Sequence, residues 1–146
     1  TTNISTAAAL GRRPQEKDFA STIEGDTLTV DPGTYNEAVA VNKSVAIIGS
    51  GTTSTDVVLN APFNSYAAAA GNGFAVSVNN VTIKKVKVTN FNVGITNSIA
   101  VSNLTLDSVE LSENFGAGFY SNLLNIDSLT ITNSTLSYNG NKSGFP

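Results

Sequence analysis

The sequence predicts an all-β solenoid, a parallel β-helix, and three observations carry that prediction. A ten-residue pattern, VTIKKVKVTN from Val81, returns as LTLDSVELSE from Leu104 and as LTITNSTLSY from Leu129, at offsets of 23 and 25 residues. Periods of roughly 20–50 residues belong to stacked repeats, which bury a core only by lying on one another. Within the pattern, apolar and polar residues alternate. Val81, Leu104 and Leu129 share one column, Ile83, Leu106 and Ile131 a second, and Val88, Leu111 and Leu136 a third, with Thr82, Thr105 and Thr130 between the first two. That period of two marks a strand with one buried face. Glycine followed by a bulky apolar residue marks each repeat again, at Gly73-Phe74, Gly94-Ile95, Gly118-Phe119 and Gly144-Phe145. Each interval holds several short strand-like runs separated by Asn, Asp, Ser or Gly, which tolerate tight and left-handed turns.

Stacking such coils turns the columns into ladders, about 4.8 Å per step along the axis. Inward, Val, Leu and Ile lie on one another, and each side chain contributes about 1.5–3 kcal/mol when fully buried. Outward, Lys84 falls beside Asp107 and Lys87 beside Glu110, so unlike charges face each other across neighbouring coils. Exposed pairs add little stability, but they hold register, because a slipped strand would oppose like charges or turn its apolar face to water.

Composition narrows the class further. A chain of 146 residues is one domain, and 40% hydrophobic content supports a core although only 13% of residues are charged. The net charge of −3 and a pI near 4.7 exclude nucleic-acid binding, which rests on neutralising phosphates with Lys and Arg. No apolar run is long enough for a membrane helix, and no signal peptide is visible, so membrane insertion is not expected. Cysteine and methionine are absent, and a thiol-free chain rich in Thr, Asn and Ser is expected to be secreted or at the cell surface. Because the chain starts at Thr1 rather than Met, a processed or excised segment is also expected. Sequons stand at Asn3, Asn42, Asn80, Asn103, Asn133 and Asn141, but in this composition several arise by chance.

Along the chain, residues 1–14 read as a lead-in or linker and 15–146 as the β-helix. From Pro14 to Ile23, charged Glu16, Lys17 and Asp18 lie beside Phe19, Ala20 and Ile23, the pattern of a short amphipathic helix that would cap the first coil. Asp31-Pro32-Gly33 is a turn between a strand at Leu28 to Val30 and a strand at Ala38 to Val41. Asn42-Lys43 then leads to a strand at Val45 to Ile48.

This run, GDTLTV, PGTYNEAVAV, KSVAIIGSG and then VVLN, resembles the N-terminal coils of the pectin lyase-like superfamily, notably pectin methylesterases. The resemblance covers about Gln15 to Leu59 as a motif and the rest as generic repeat. It implies a right-handed parallel β-helix, and handedness comes from the resemblance alone. For activity it implies nothing uniform, since such solenoids include esterases, lyases, hydrolases, tailspikes and non-catalytic surface proteins.

Between Leu59 and Gly73 the period is broken, and Phe63, Tyr66 and Ala67 to Ala70 read as a loop laid over the first coils. Chemistry is sparsely provided. The chain has no His, Cys or Trp, and Arg occurs only at Arg12 and Arg13, ahead of the repeats. The esterase resemblance implies paired Asp with Gln and Arg partners, and polysaccharide lyases of this fold use an Arg or Lys base beside calcium-binding carboxylates; neither constellation is matched. Asp107, Glu110 and Glu113 are the best acidic candidates, since carboxylates serve glycoside hydrolysis or bind calcium. The neighbouring lysines satisfy the first two without a site, and Asn114 with Asn139 reads as an asparagine ladder. Tyr35, Tyr66, Tyr120 and Tyr138 are available as sugar platforms, though tyrosine is also an ordinary strand former. Candidate glycan or partner contacts are therefore Tyr66, Tyr120, Tyr138, Asp107, Glu110 and Glu113, with no catalytic residue, metal or cofactor assigned.

At Gly144-Phe145-Pro146 a further coil begins, so the solenoid is expected to continue or to be covered by a partner beyond Pro146. The expected function is a non-catalytic structural or adhesive module presenting a rigid surface to polysaccharide or a cell-surface protein. The alternatives are the N-terminal part of a polysaccharide lyase or esterase, and a filament subunit that self-associates end to end.

Overall fold

Short runs of Val, Ile, Leu and Thr bounded by Asn, Ser, Asp and Gly cannot close hairpins over their own apolar faces, so they find cover in the next repeat instead. A computed structural model describes residues 25–61, 71–121 and 125–140, and in these residues the chain forms fourteen strands and no helix. They fall into coils of three. The first holds β1 (Thr27–Val30), β2 (Gly33–Asn36) and β3 (Val39–Val41), and the second β4 (Ala46–Gly49), β5 (Val57–Asn60) and β6 (Asn72–Val76). The third holds β7 (Val81–Lys84), β8 (Lys87–Thr89) and β9 (Val93–Asn97), and the fourth β10 (Val101–Asp107), β11 (Glu110–Ser112) and β12 (Ala117–Tyr120). In the fifth, β13 (Ile126–Thr132) and β14 (Thr135–Ser137) are described.

No strand pairs with its neighbour in sequence. Instead β1-β4-β7-β10-β13 form one parallel sheet, β2-β5-β8-β11-β14 a second and β3-β6-β9-β12 a third, so each pass of the chain adds one strand to every sheet. The arrangement is all-β with parallel sheets and is consistent with a parallel β-helix. The predicted columns are observed: Ile83 pairs with Leu106 and Leu106 with Ile131, Val88 with Leu111 and Leu111 with Leu136. In the third sheet Phe74, Ile95 and Phe119 stand in register, as the glycine marker requires.

The core is the stack of those inward columns, with Val41, Ile47, Leu59, Phe74, Ile83, Val88, Phe91, Ile95, Leu106 and Leu111 all fully buried. One departure concerns the last coil, whose Leu129, Ile131 and Leu136 continue buried columns yet are 39–46% exposed. A second concerns the first coil. Gly33–Asn36 is a strand, where the turn at Asp31-Pro32-Gly33 had implied a loop, because its backbone finds β5 as a parallel partner. Tyr35 in that strand is a core residue whose hydroxyl donates to the carbonyl of Asp31 at 2.7 Å, so it is no sugar platform. The capping helix at 14–23, the loop residues Phe63 to Ala70 and the Gly144-Phe145 marker lie outside the described residues.

Corners are made by single residues in the left-handed region. Asn80, Asn103 and Ser128 form one such column, Lys85, Ser108 and Asn133 another, and Asn90, Glu113 and Tyr138 a third, all with φ between 51° and 67°. Left-handed backbone is cheap for Asn and costly for a bulkier residue, so repeated use at matched positions shows that the stack imposes it. Close approach sets the glycines. A Cβ on Gly73 would stand 2.5 Å from the carbonyl oxygen of Gly94 and 2.5 Å from Cγ1 of Val88. Gly73→Ala is therefore expected to cost about 1–3 kcal/mol, the range for overpacking a filled core. Urea unfolding checks this, and an unchanged midpoint would mean that the third sheet is not stacked as described.

Candidate functional site

Asp107 ends β10 and Glu110 begins β11, with the left-handed residue Ser108 between them. The corner puts the two carboxylates on different sheets, so they do not form a pair across a common face. Asp107 is held from both sides of its coil. Nζ of Lys84, one coil earlier, lies 3.2 Å away. From the following coil the Nδ2 of Asn133 donates at 3.0 Å and Oγ1 of Thr132 at 3.3 Å, and Oγ of Ser108 donates at 3.1 Å. These donors, Asn133 foremost and then Lys84, outweigh desolvation and pull the Asp107 carboxyl down from 3.8 to about 2.

Glu110 repeats the arrangement on the second sheet, with Lys87 at 3.1 Å and Oγ of Ser112 donating to it at 2.8 Å. Glu113 stands exposed on a left-handed corner, where its N–H donates to the carbonyl of Ser137 and its carbonyl accepts from Asn90, both at 3.3 Å. Among the described residues no group of three His, Cys, Asp or Glu side chains could hold a metal ion. A catalytic acid needs a raised pKa, and Asp107 has the opposite.

Of the tyrosines, Tyr120 lies on β12 at 48% exposure beside Thr96, whose Oγ1 donates to the Tyr120 carbonyl at 2.6 Å. Tyr138 follows β14 and is 75% exposed. Tyr120 is thus in the third sheet and Tyr138 at the corner after the second, and Tyr66 lies outside the described residues.

The most developed polar feature is a set of amide ladders. Asn114 is wholly buried: its Oδ1 accepts from the N–H of Phe91 at 3.1 Å, while its Nδ2 donates to the carbonyl of Val88 at 3.1 Å and to Oδ1 of Asn139 at 3.0 Å. Asn139 in turn donates to the carbonyl of Leu111 at 2.7 Å, so the expected pair spans two corners and the coils on either side. A second ladder, missed by the repeat alignment, runs Asn90 to Asn60 at 2.7 Å and Asn60 to Asn36 at 2.8 Å. Its offsets of 30 and 24 residues straddle the insertion, which hides it from a fixed-period reading. A third joins Asn103 to Asn80 at 2.8 Å.

That last ladder accounts for two of the sequons. Asn80-Val81-Thr82 and Asn103-Leu104-Thr105 are the repeat itself, a corner Asn, an inward aliphatic and an outward Thr. The amide nitrogens of Asn103 and Asn133 are engaged with Asn80 and Asp107. A further unforeseen element is the loop before β5, where Oδ2 of Asp56 accepts from the N–H groups of Thr52 and Thr53 at 2.7 and 2.9 Å. Those bonds lower the Asp56 pKa, and they press its Cβ to within 2.3 Å of where a side chain at Gly51 would begin.

What these side chains define is a rod of stacked parallel coils whose polar groups are spent on holding coil to coil. No family model, curated protein or solved structure matches the chain.

The depressed Asp107 carboxyl makes an acid-dependent prediction. Because its folded pKa lies below its unfolded value, its contribution is present above about pH 4 and is lost as pH falls towards 2. Asp107→Asn should unfold more easily than the parent at pH 6 and converge with it near pH 2, in denaturant midpoints taken at steps between. A constant difference across that range would show that the carboxylate is not held by its neighbours.

Proposed function

We propose that this chain is a right-handed parallel β-helix of the pectin lyase-like type that works without catalysis. As a secreted or cell-surface module it presents stiff outer faces to a polysaccharide or to a surface protein. The observation that carries this reading is the use made of the acidic residues. Asp107 and Glu110, the side chains best suited to acid–base or calcium chemistry, are each bound to a lysine of the preceding coil and to hydroxyl or amide donors around them. Held in this way Asp107 is no proton donor near neutral pH, and neither carboxylate is an open ligand.

Stiffness follows from the sheets, since two parallel ladders run through all five described coils and a third through the first four. Contact would fall to the exposed aromatics, because a tyrosine ring offers an apolar face to a sugar and a hydroxyl to its polar edge. Tyr120 and Tyr138 are the described residues that meet this requirement. The right-handed sense rests on the resemblance of the GDTLTV to IIGSG run alone, and the solenoid reading is supported by the folding of that run into the first coils.

A panel of neutral and uronic-acid polysaccharides tests the proposal. The chain is expected to be retained on at least one of them, with retention weakened at least several-fold in a Tyr120→Ser, Tyr138→Ser double variant, and to release no reducing ends or unsaturated products with or without calcium. Cleavage abolished by Asp107→Ala would contradict the non-catalytic reading and favour a polysaccharide-degrading enzyme.

A further inference from the structure

The chain contains two Asn-Gly pairs, Asn72-Gly73 and Asn139-Gly140. Glycine has no Cβ to shield its amide, so an asparagine before it is open to attack on its own side chain. The glycine nitrogen bonds to Cγ of the asparagine as its proton passes to water, and the side-chain amide leaves as ammonia. Water then opens the cyclic imide at either carbonyl to give aspartate or isoaspartate, and no oxidant or reductant is consumed.

At Asn139-Gly140 the amide ladder holds both reacting groups. Oδ1 of Asn139 accepts from the N–H of Asn114 at 3.1 Å and from its Nδ2 at 3.0 Å, and Nδ2 of Asn139 donates to the carbonyl of Leu111 at 2.7 Å. The nucleophile is tied as well, since the N–H of Gly140 donates to the carbonyl of Asn114 at 3.0 Å. Attack on Cγ therefore requires the carboxamide and the amide after it to leave the fourth coil first. One coil earlier the ladder residue is followed by Phe115, whose bulk hinders the same reaction at Asn114. The corner also favours its glycine. Gly140 has a φ of 73°, and a Cβ on it would stand 3.0 Å from the carbonyl oxygen of Gly116.

We propose that Asn139-Gly140 is a one-way latch on the fifth coil, a site of spontaneous deamidation that is silent while the ladder is closed and reacts when the corner opens. Reaction removes the means of reclosing. A carboxylate has no hydrogen to give the Leu111 carbonyl and sets oxygen against oxygen there, while isoaspartate lengthens the main chain at a tight corner. Asn72-Gly73 is guarded differently, because it lies in β6, paired with β9 from Asn72 and with β3 from Phe74. The latch is independent of the display reading, and retention on a polysaccharide bears on neither pair.

Peptide mapping that separates aspartate from isoaspartate follows both pairs in one sample. In native buffer Asn139 should be lost at least about ten-fold more slowly than in the urea-unfolded chain, since only the open fraction reacts. Across steps of sub-denaturing urea, its loss and the hydrogen exchange of the Gly140 N–H should rise by the same factor, because both wait for the bond to the Asn114 carbonyl to break. Asn114→Ala should speed the loss of Asn139 several-fold and leave that of Asn72 unchanged, with circular dichroism confirming the parent fold. Asn139→Asp should expose the Gly140 N–H to exchange while β7 to β9 keep the parent protection.

Native loss as fast as unfolded loss, or loss that ignores urea while exchange rises, would overturn the proposal. So would equal acceleration of both pairs by Asn114→Ala, which would make the ladder a support of the whole fold and no local latch. Unchanged exchange in Asn139→Asp would show that the corner recloses after reaction and would overturn its one-way character. If Asn114→Ala does not fold, the urea series on the unaltered chain decides alone.

Discussion

Everything in this molecule depends on the parallel hydrogen-bonded step from one coil to the next. No strand has more than seven residues, and most have three or four, so none could bury an apolar face or satisfy its backbone alone. Stacking supplies both needs at once. The backbone of each strand bonds to the strands before and after it, and each inward Val, Leu, Ile or Phe lies on its equivalent in the next coil. The stability of any coil is thus a property of its neighbours, as expected for a one-dimensional array.

The same dependence explains where the polar residues went. A corner in such a stack must turn the chain within one or two residues, and it leaves backbone groups pointing along the axis. Left-handed residues make the turn, and asparagine side chains bridge the axial groups from coil to coil, most completely at Asn114 with Asn139. Because a buried amide left without partners costs roughly 1–3 kcal/mol per lost bond, this ladder also penalises any slip in register. Asp107 and Glu110 play a comparable part on the outer surface, where they hold register from coil to coil. Residues that look like chemistry in the sequence are, in the fold, devices for alignment.

The three inward columns and both ion pairs were legible before the structure, because the third to fifth coils keep nearly constant offsets and alternate strictly. The first two coils were harder. Gly33–Asn36 buries Tyr35 and little else inward, too few residues to show a period, and a turn motif immediately before it pointed to a loop. The Asn36, Asn60 and Asn90 ladder was invisible for a related reason, since an insertion separates its members unevenly. Corner positions gave a mixed signal. Asn80, Asn90 and Asn103 announce left-handed backbone, but Lys85, Glu113 and Tyr138 occupy the same conformation with no local preference for it. Their φ values follow from the stack around them, which no local pattern records. The separation of Asp107 from Glu110 onto two sheets was hidden by the same corner at Ser108.

The most direct test of this account is a nuclear Overhauser map of the backbone. Contacts between Ile83 and Leu106 and between Leu106 and Ile131, at the 23- and 25-residue offsets of the parallel register, are the predicted result. Contacts linking consecutive strands instead, β7 with β8 or β10 with β11 in antiparallel order, would describe a meander of hairpins and contradict the stacked coils on which every other conclusion rests.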